Sequence, residues 1–378
     1  MIRKLPDFNE SLSLVRRVDL KYRPVWDDRS PEECVALARY FLPHSSRKPV
    51  LGPTRPRVIK WYCPFAAQAD FPSGHRYCIN VYTGCDHKCV YCYAAGYSPD
   101  HASRKQNFGK LIAKDMEDLE RFDVPAAPVH LSNSTDIFQP LEIETGDAKF
   151  TLEQILAYRN RFTTVTLLTK NPVLPIEQGY LGLFQALNVL PPDHPKYEEF
   201  NELGQPGFCV EVSLAFWRER PRSVYDPNAP TVEKRKAGIR ALHLAGIPLV
   251  LRIDPLFPRS PLTTNPKTTL EDFGLPEAQT IEDLECMVSF AREMNVRHIV
   301  YSPAKIVQPR GRKLSDTMRA MRTAYEHFVA PEKLTFRGGS WRVPRGIAMA
   351  KIVQPFLEIC QREGVTAKYC KQNLTETP

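Results

Sequence analysis

Cys78-Ile-Asn-Val-Tyr-Thr-Gly-Cys85-Asp-His-Lys-Cys89-Val-Tyr-Cys92-Tyr93 ends a short apolar run on a loop that carries three thiols. The spacing is C-x3-C-x2-C, and the run before it, Tyr77–Tyr82, reads as a buried strand. On a loop leaving a parallel strand, side chains so spaced can face one cubane cluster, and thiolates are the soft ligands that iron–sulfur centres take. An electron-transfer [4Fe–4S] cluster takes four cysteines, whereas three stand together here, which leaves one iron for another ligand. Two alternatives stay open at this point. Zinc would need a fourth ligand, and His87 is badly spaced for it. A remote thiol, Cys63, Cys78 or Cys370, would complete a ferredoxin-type site.

Beyond this loop the chain alternates short apolar runs with longer helix-forming segments. The further runs are Pro128–Leu131, Thr163–Thr169, Gly207–Leu214, Ile247–Ile253 and His298–Tyr301. Between them lie Ile112–Phe122, Leu152–Arg161, Thr231–Ala245 and Ile281–Met294, the last two opened by capping residues Thr231 and Thr280. Continuous apolar runs suit a parallel sheet, so the expected fold is α/β, a partial (β/α)6 barrel. A doubly wound sheet would show the same alternation. The expected organisation is an N-terminal extension over 1–75 with one helix at Pro31–Tyr40, a barrel over 76–305, and a C-terminal helical/β extension over 306–378. In that extension Asp316–Val329 and Pro344–Glu363 read as helices, and Leu334–Val343 as a β segment turning at Gly338-Gly339.

The chain has 378 residues, a net charge of +8 and 43% hydrophobic content. Ten cysteines in such a chain do not form a disulfide framework; the scattered ones read as small apolar groups. The opening MIRKLPDFNESLSL has no apolar run after its basic residues, and no stretch reaches the roughly 18 apolar residues of a membrane span. A cytoplasmic enzyme with no membrane partner is the expectation.

C-x3-C-x-aromatic-C, with Tyr91 as the aromatic residue, is the signature of the radical S-adenosylmethionine (SAM) superfamily. Tyr82 to Tyr93 resembles its spore photoproduct lyase-like branch, and the resemblance runs along residues 76–305. It implies one [4Fe–4S] cluster on Cys85, Cys89 and Cys92, with SAM chelating the open iron. Reductive cleavage of SAM to a 5′-deoxyadenosyl radical would then serve to abstract a substrate hydrogen. The family's SAM contacts fall on Thr135 and Asp136 after the second strand, Lys170 ending the third and Ser213 on the fourth. Tyr91, Tyr93 and Arg252 complete the expected cofactor-binding set. Helix capping is the plain alternative for Thr135 and Asp136, and a solvated strand end for Lys170. Glu211 and Arg252 interrupt apolar strands, so each is expected to line a cavity or to pair.

The lyase has a cysteine beside the second-strand motif that returns a hydrogen atom to its product. This chain has Asn133 there, so the resemblance does not carry that repair route over. Cys209 is the candidate catalytic thiol in its place, with a core role as the alternative. A flavodoxin- or ferredoxin-type electron donor is the implied partner. DNA or RNA is a further candidate, from basic residues interleaved with aromatics at 16–23, 47–62 and Arg337–Arg345. Lys234-Arg235-Lys236 is expected to be a solvated helix face. A peptide or small metabolite is the alternative substrate, and an iron–sulfur binding protein without SAM chemistry is the non-enzymatic alternative.

Overall fold

The computed structural model describes residue 30 and residues 57–60, 77–121, 126–259, 262, 268–309 and 311–370. The expected helix at Pro31–Tyr40, the basic stretch at 16–23, most of that at 47–62, and Cys63 lie outside the described residues.

The strands are β1 Ile59–Lys60, β2 Tyr77–Ile79, β3 Tyr82–Thr83, β4 Ser103–Arg104, β5 Ala127–Leu131, β6 Phe162–Thr169 and β7 Phe208–Ser213. They continue as β8 Leu249–Leu256, β9 Ile299–Pro303, β10 Lys305–Val307, β11 Thr335–Arg337, β12 Ser340–Arg342 and β13 Ala367–Tyr369. The main sheet runs β1-β2-β5-β6-β7-β8-β9-β13. All its neighbours pair in parallel except β1, which lies antiparallel on β2. Six parallel strands in chain order are the six expected runs, and the fold is α/β. A seventh parallel strand, β13, comes from the C-terminal segment and pairs Lys368 with Val300. Three residues between turns are too few to show a period, so this strand was not legible as one.

Side chains alternate along each strand, and the two sets differ in kind. Phe208, Val210 and Val212 of β7, Leu249, Leu251 and Ile253 of β8, and Ile299 and Tyr301 of β9 belong to the main core. That core is completed by helix residues such as Ile239 and Leu242 of helix Val232–Leu244 and Leu284, Met287 and Val288 of helix Ile281–Glu293. The opposite face carries Cys78, His130, Thr166, Cys209, Glu211, Ser213, Arg252 and Asp254. A sheet packed by hydrocarbon on both faces would not place charges there. This face is the polar one, with Cys209, Val250 and Val300 as its apolar patch.

The capping signals hold. Thr280 and Asp283 cap each other reciprocally, and the Thr231 hydroxyl accepts from Lys234 N. Helix Asp316–Val329 and the hairpin of β11 and β12 lie where the sequence placed them, whereas Pro344–Glu363 is interrupted by a π-turn at Met349–Val353. Among the described residues no helix is long and apolar enough to cross a membrane.

Candidate active site

The cysteine loop leaves the sheet at the carboxyl end of β2 by way of β3. Gly84 turns it at φ 77°, and a Cβ there would lie 1.9 Å from the carbonyl oxygen of His101, so only glycine fits. Asp86 fixes the loop on one side, its Oδ1 accepting from Ala102 N at 3.1 Å and its own N–H donating to Gln139 Oε1 at 3.1 Å. On the other side, Val90 N donates to the Tyr225 carbonyl at 2.9 Å and Asn228 N to the His87 carbonyl at 3.3 Å. Asn228 Nδ2 adds a bond to the Asp86 carbonyl at 2.9 Å. Segment 225–228, far along the chain, is thus stapled to the cysteine loop by its backbone.

Cys85, Cys89 and Cys92 are free thiols, each partly buried. Burial pushes the Cys85 thiol up to about 12 and raises Cys89 and Cys92 as well. Among the described residues no three of His, Cys, Asp or Glu gather closely enough for a single ion. A cubane asks for less convergence, because each thiolate takes its own iron. The donor set fits such a cluster: three soft ligands on one loop, costly to ionise until a metal displaces their protons. Two buried hydroxyls following β5, Ser132 Oγ and Thr135 Oγ1, have no hydrogen-bond partner, as expected of groups that meet a ligand.

Lys170 joins two of the other expected residues. Its Nζ donates to Tyr91 Oη at 2.8 Å and Ser213 Oγ at 3.0 Å, and lies 5.1 Å from the Tyr91 ring centre. It also donates to Asp226 Oδ2 at 3.2 Å, a residue the sequence reading did not single out. Burial alone would lower the Lys170 ammonium, but the Asp226 carboxylate, by charge and hydrogen bond, and the Cys89 thiol together hold it above its ordinary value. Burial would likewise raise Asp226, yet Lys170 and Arg235 keep it well below the carboxylate range.

Arg235 corrects an expectation. It is 0% exposed, and Lys236 beside it is buried; only Lys234 of the three faces solvent. Its Nη2 donates to Asp226 Oδ2 at 3.0 Å and its Nη1 to the Ser213 carbonyl at 3.3 Å. The signal was legible, since Val232, Arg235, Ile239 and Leu242 share one helical stripe. Gly238 lets that helix approach, because a Cβ there would come within 2.7 Å of Pro172 Cγ.

Asp136 is fully engaged with the protein. Oδ1 accepts from Phe138 N at 2.9 Å and Thr169 Oγ1 at 2.7 Å; Oδ2 accepts from Lys170 N at 2.6 Å and lies 3.2 Å from His87 Nε2. It ties the cysteine loop to the end of β6, which places it as a bracket of the pocket. Its expected cofactor contact would have to displace one of these partners. Tyr93 opens the short 3-10 helix after Cys92, with Lys305 Nζ 5.5 Å from its ring centre.

Arg252 lies deeper on the inner face. Its guanidinium reaches Glu211 Oε2 at 2.6 Å, Asp254 Oδ2 at 2.7 Å and Cys370 Sγ at 2.8 Å. His130 Nε2 lies 3.5 Å from the same Glu211 oxygen, and Ser302 Oγ donates to Asp254. The expected pairing of Glu211 and Arg252 is present. Cys209, 6% exposed, packs with Val250 and Val300, and burial drives its thiol well up. Asn133 donates through Nδ2 to Cys78 Sγ at 3.1 Å.

No protein-family model matches the chain. An uncharacterized protein of Methanocaldococcus jannaschii is 23% identical over 190 residues, 49% of this chain and 62% of that protein. The match thus spans less than two thirds of the relative's length. Spore photoproduct lyase with bound S-adenosylmethionine and dinucleoside spore photoproduct is similar in structure, with a TM-score of 0.49 and 14% identity over 81% of this chain and 79% of that one. A radical SAM methyltransferase of Kitasatospora setae, with cobalamin and a [4Fe–4S] cluster bound, has a TM-score of 0.39 and 14% identity over 60% of this chain and 34% of that one. SuiB of Streptococcus suis, bound to its precursor peptide, has a TM-score of 0.43 and 10% identity over 77% of this chain and 48% of that one.

Proposed function

We propose that this chain is a radical SAM enzyme of the spore photoproduct lyase-like branch. It holds one [4Fe–4S] cluster on Cys85, Cys89 and Cys92, with SAM beside Lys170, Tyr91 and Ser213. The observation that carries the reading is the meeting of the C-x3-C-x-Tyr-C loop with the Lys170–Tyr91–Ser213 group at the carboxyl ends of the strands, where such sheets do their chemistry. When bound, the pair supplies reductive cleavage of SAM to a 5′-deoxyadenosyl radical for substrate hydrogen abstraction.

The chain's own residues hold and shield. Lys170 presents an ammonium to a ligand carboxylate, and Ser132 and Thr135 offer unanswered hydroxyls. Tyr91, edge-on to Phe216 and Phe257, walls the pocket with rings that exclude water. A nucleic acid or nucleotide is the substrate class we favour, because exposed Arg337 and Arg342 flank exposed Phe336 on the β11–β12 hairpin, with exposed Arg345 following it. Electrons would come from a flavodoxin- or ferredoxin-type donor.

Anaerobic reconstitution is expected to load about four iron and four sulfide per chain. Addition of SAM and a low-potential reductant is expected to give 5′-deoxyadenosine, and Cys89→Ala to abolish both results. Intact SAM with a fully loaded cluster would overturn the enzymatic reading in favour of an iron–sulfur binding protein.

A further inference from the structure

Asp226 lies outside the cysteine motif and outside every strand end, yet it is 0% exposed and adjoins the cluster loop. One of its oxygens, Oδ2, answers two cations, Lys170 at 3.2 Å and Arg235 at 3.0 Å. The other, Oδ1, is buried without a hydrogen-bond partner. Two contacts tie this group to the cysteine loop: Lys170 Nζ donates to Tyr91 Oη at 2.8 Å, and Val90 N, the residue after Cys89, donates to the carbonyl of Tyr225, the residue before Asp226, at 2.9 Å.

Two positive charges on one negative charge leave one positive charge over, in a region where an unanswered charge is costly. A cluster on three thiolates supplies the missing negative charge, so the group is balanced only when the loop is loaded. The placement is rigid as well. The staples of segment 225–228 to Val90, His87 and Asp86 fix Asp226 to the loop, and Gly238 seats Arg235 beneath it.

We propose that Asp226, Lys170 and Arg235 form a charge triad against the cysteine loop that sets the reduction potential of the cluster, with Asp226 as its positioning residue. This rests on the cluster assignment above. Reduction adds one electron from an external low-potential reductant to the cluster, and no bond or proton changes place. Net charge beside an iron–sulfur centre is one of the factors that govern its potential. A fixed carboxylate disfavours the added electron, and a fixed ammonium favours it.

The test is an anaerobic redox titration of the reconstituted full chain, followed by the electron paramagnetic resonance of the reduced cluster, with iron content measured in each sample. Asp226→Asn is expected to move the midpoint potential to more positive values and Lys170→Met to more negative values. The double variant is expected to return close to wild type, because it removes one charge of each sign. A merely structural role would lower iron content or shift both single variants the same way. Midpoints unchanged from wild type, or shifts of one sign, overturn the proposal while leaving the cluster assignment intact. If Asp226→Asn loses its iron, Lys170→Met decides alone, and an unchanged midpoint there overturns the triad. A wild-type chain that assembles no cluster overturns the assignment, and the triad with it.

Discussion

On the outer face of β7, Phe208, Val210 and Val212 join the main core; on the inner face of the same strand, Cys209 packs on Val250 and Val300 while Glu211 and Ser213 accept from Arg252 and Lys170. The outer set is held by area and volume, so any side chains that fill the space at native density would serve. The inner set is held by pairwise polar contacts, in which Arg252, Glu211 and Asp254 each depend on a particular neighbour. One strand therefore carries two kinds of constraint in alternate residues. The outer constraint makes the fold, and the inner one makes the site.

The sharpest way to break the inner side is Arg252→Met. It leaves the partly buried Glu211 and Asp254 without their cation, an expected loss of about 2–3 kcal/mol in denaturant unfolding. The triple variant Glu211→Gln/Asp254→Asn/Arg252→Met is expected to recover most of it, and a failure to recover would show that this face is held by packing instead. The pH dependence carries the same sign. Burial would raise Glu211, but Arg252 and His130 outweigh it and depress the folded-state carboxyl. Its stabilisation is therefore complete above the unfolded value of about 4.3 and is lost as pH falls below that. Glu211→Gln should flatten the acid limb of stability by up to about 1.4 kcal/mol per pH unit relative to wild type. An acid limb of unchanged slope would remove Glu211 from the account.

Neighbouring residues of β7 give a smaller and more direct contrast. Phe208→Ala should cost about 3–5 kcal/mol, because Phe208 stacks on Phe184 at 4.7 Å within the main core. Cys209→Ala, one position on, should cost about 1 kcal/mol, as it removes one sulfur from a cluster of Val250 and Val300. Equal costs would deny the two-faced reading. Full 5′-deoxyadenosine-coupled turnover in Cys209→Ala would also remove it as the candidate catalytic thiol.

The outer face was the part legible in the sequence. Apolar runs at regular spacing placed six of the parallel strands, because hydrophobic periodicity reports burial against hydrocarbon. The cysteines were legible because three soft ligands at tight spacing have few other uses. Lys170, Ser213 and Tyr91 came from resemblance, and the structure brings them together. Asp226 had no signal of its own: Tyr225-Asp226-Pro227-Asn228 reads as a solvent turn, and only the tertiary staple to the cysteine loop buries it. Arg235 carried a signal that was overridden. A basic triplet looks solvated, but the stripe of Val232, Ile239 and Leu242 outweighs composition, and Asp226 supplies the partner that burial demands. β13 was hidden for a third reason, since its strand character is lent by β9 and not by its own three residues.

The hairpin of β11 and β12 belongs to neither face, which makes it the place where the smallest stability effect should accompany a functional one. Phe336 is 59% exposed, lies 4.8 Å from Trp341 with the rings tilted by 50°, and is flanked by exposed Arg337 and Arg342. Phe336→Ala is expected to change stability by no more than about 0.5 kcal/mol, because little area leaves the core. If a single strand of nucleic acid docks here, the same variant should lose about 1–3 kcal/mol of binding per unstacked base. Arg342→Gln should reduce the salt slope by about one phosphate's worth. Fluorescence anisotropy of a labelled oligonucleotide across a salt series reads both effects. A loss confined to stability would make the aromatic pair a packing device. Binding unaffected by either variant, or absent at low salt, would turn the search for substrate toward a peptide or small metabolite.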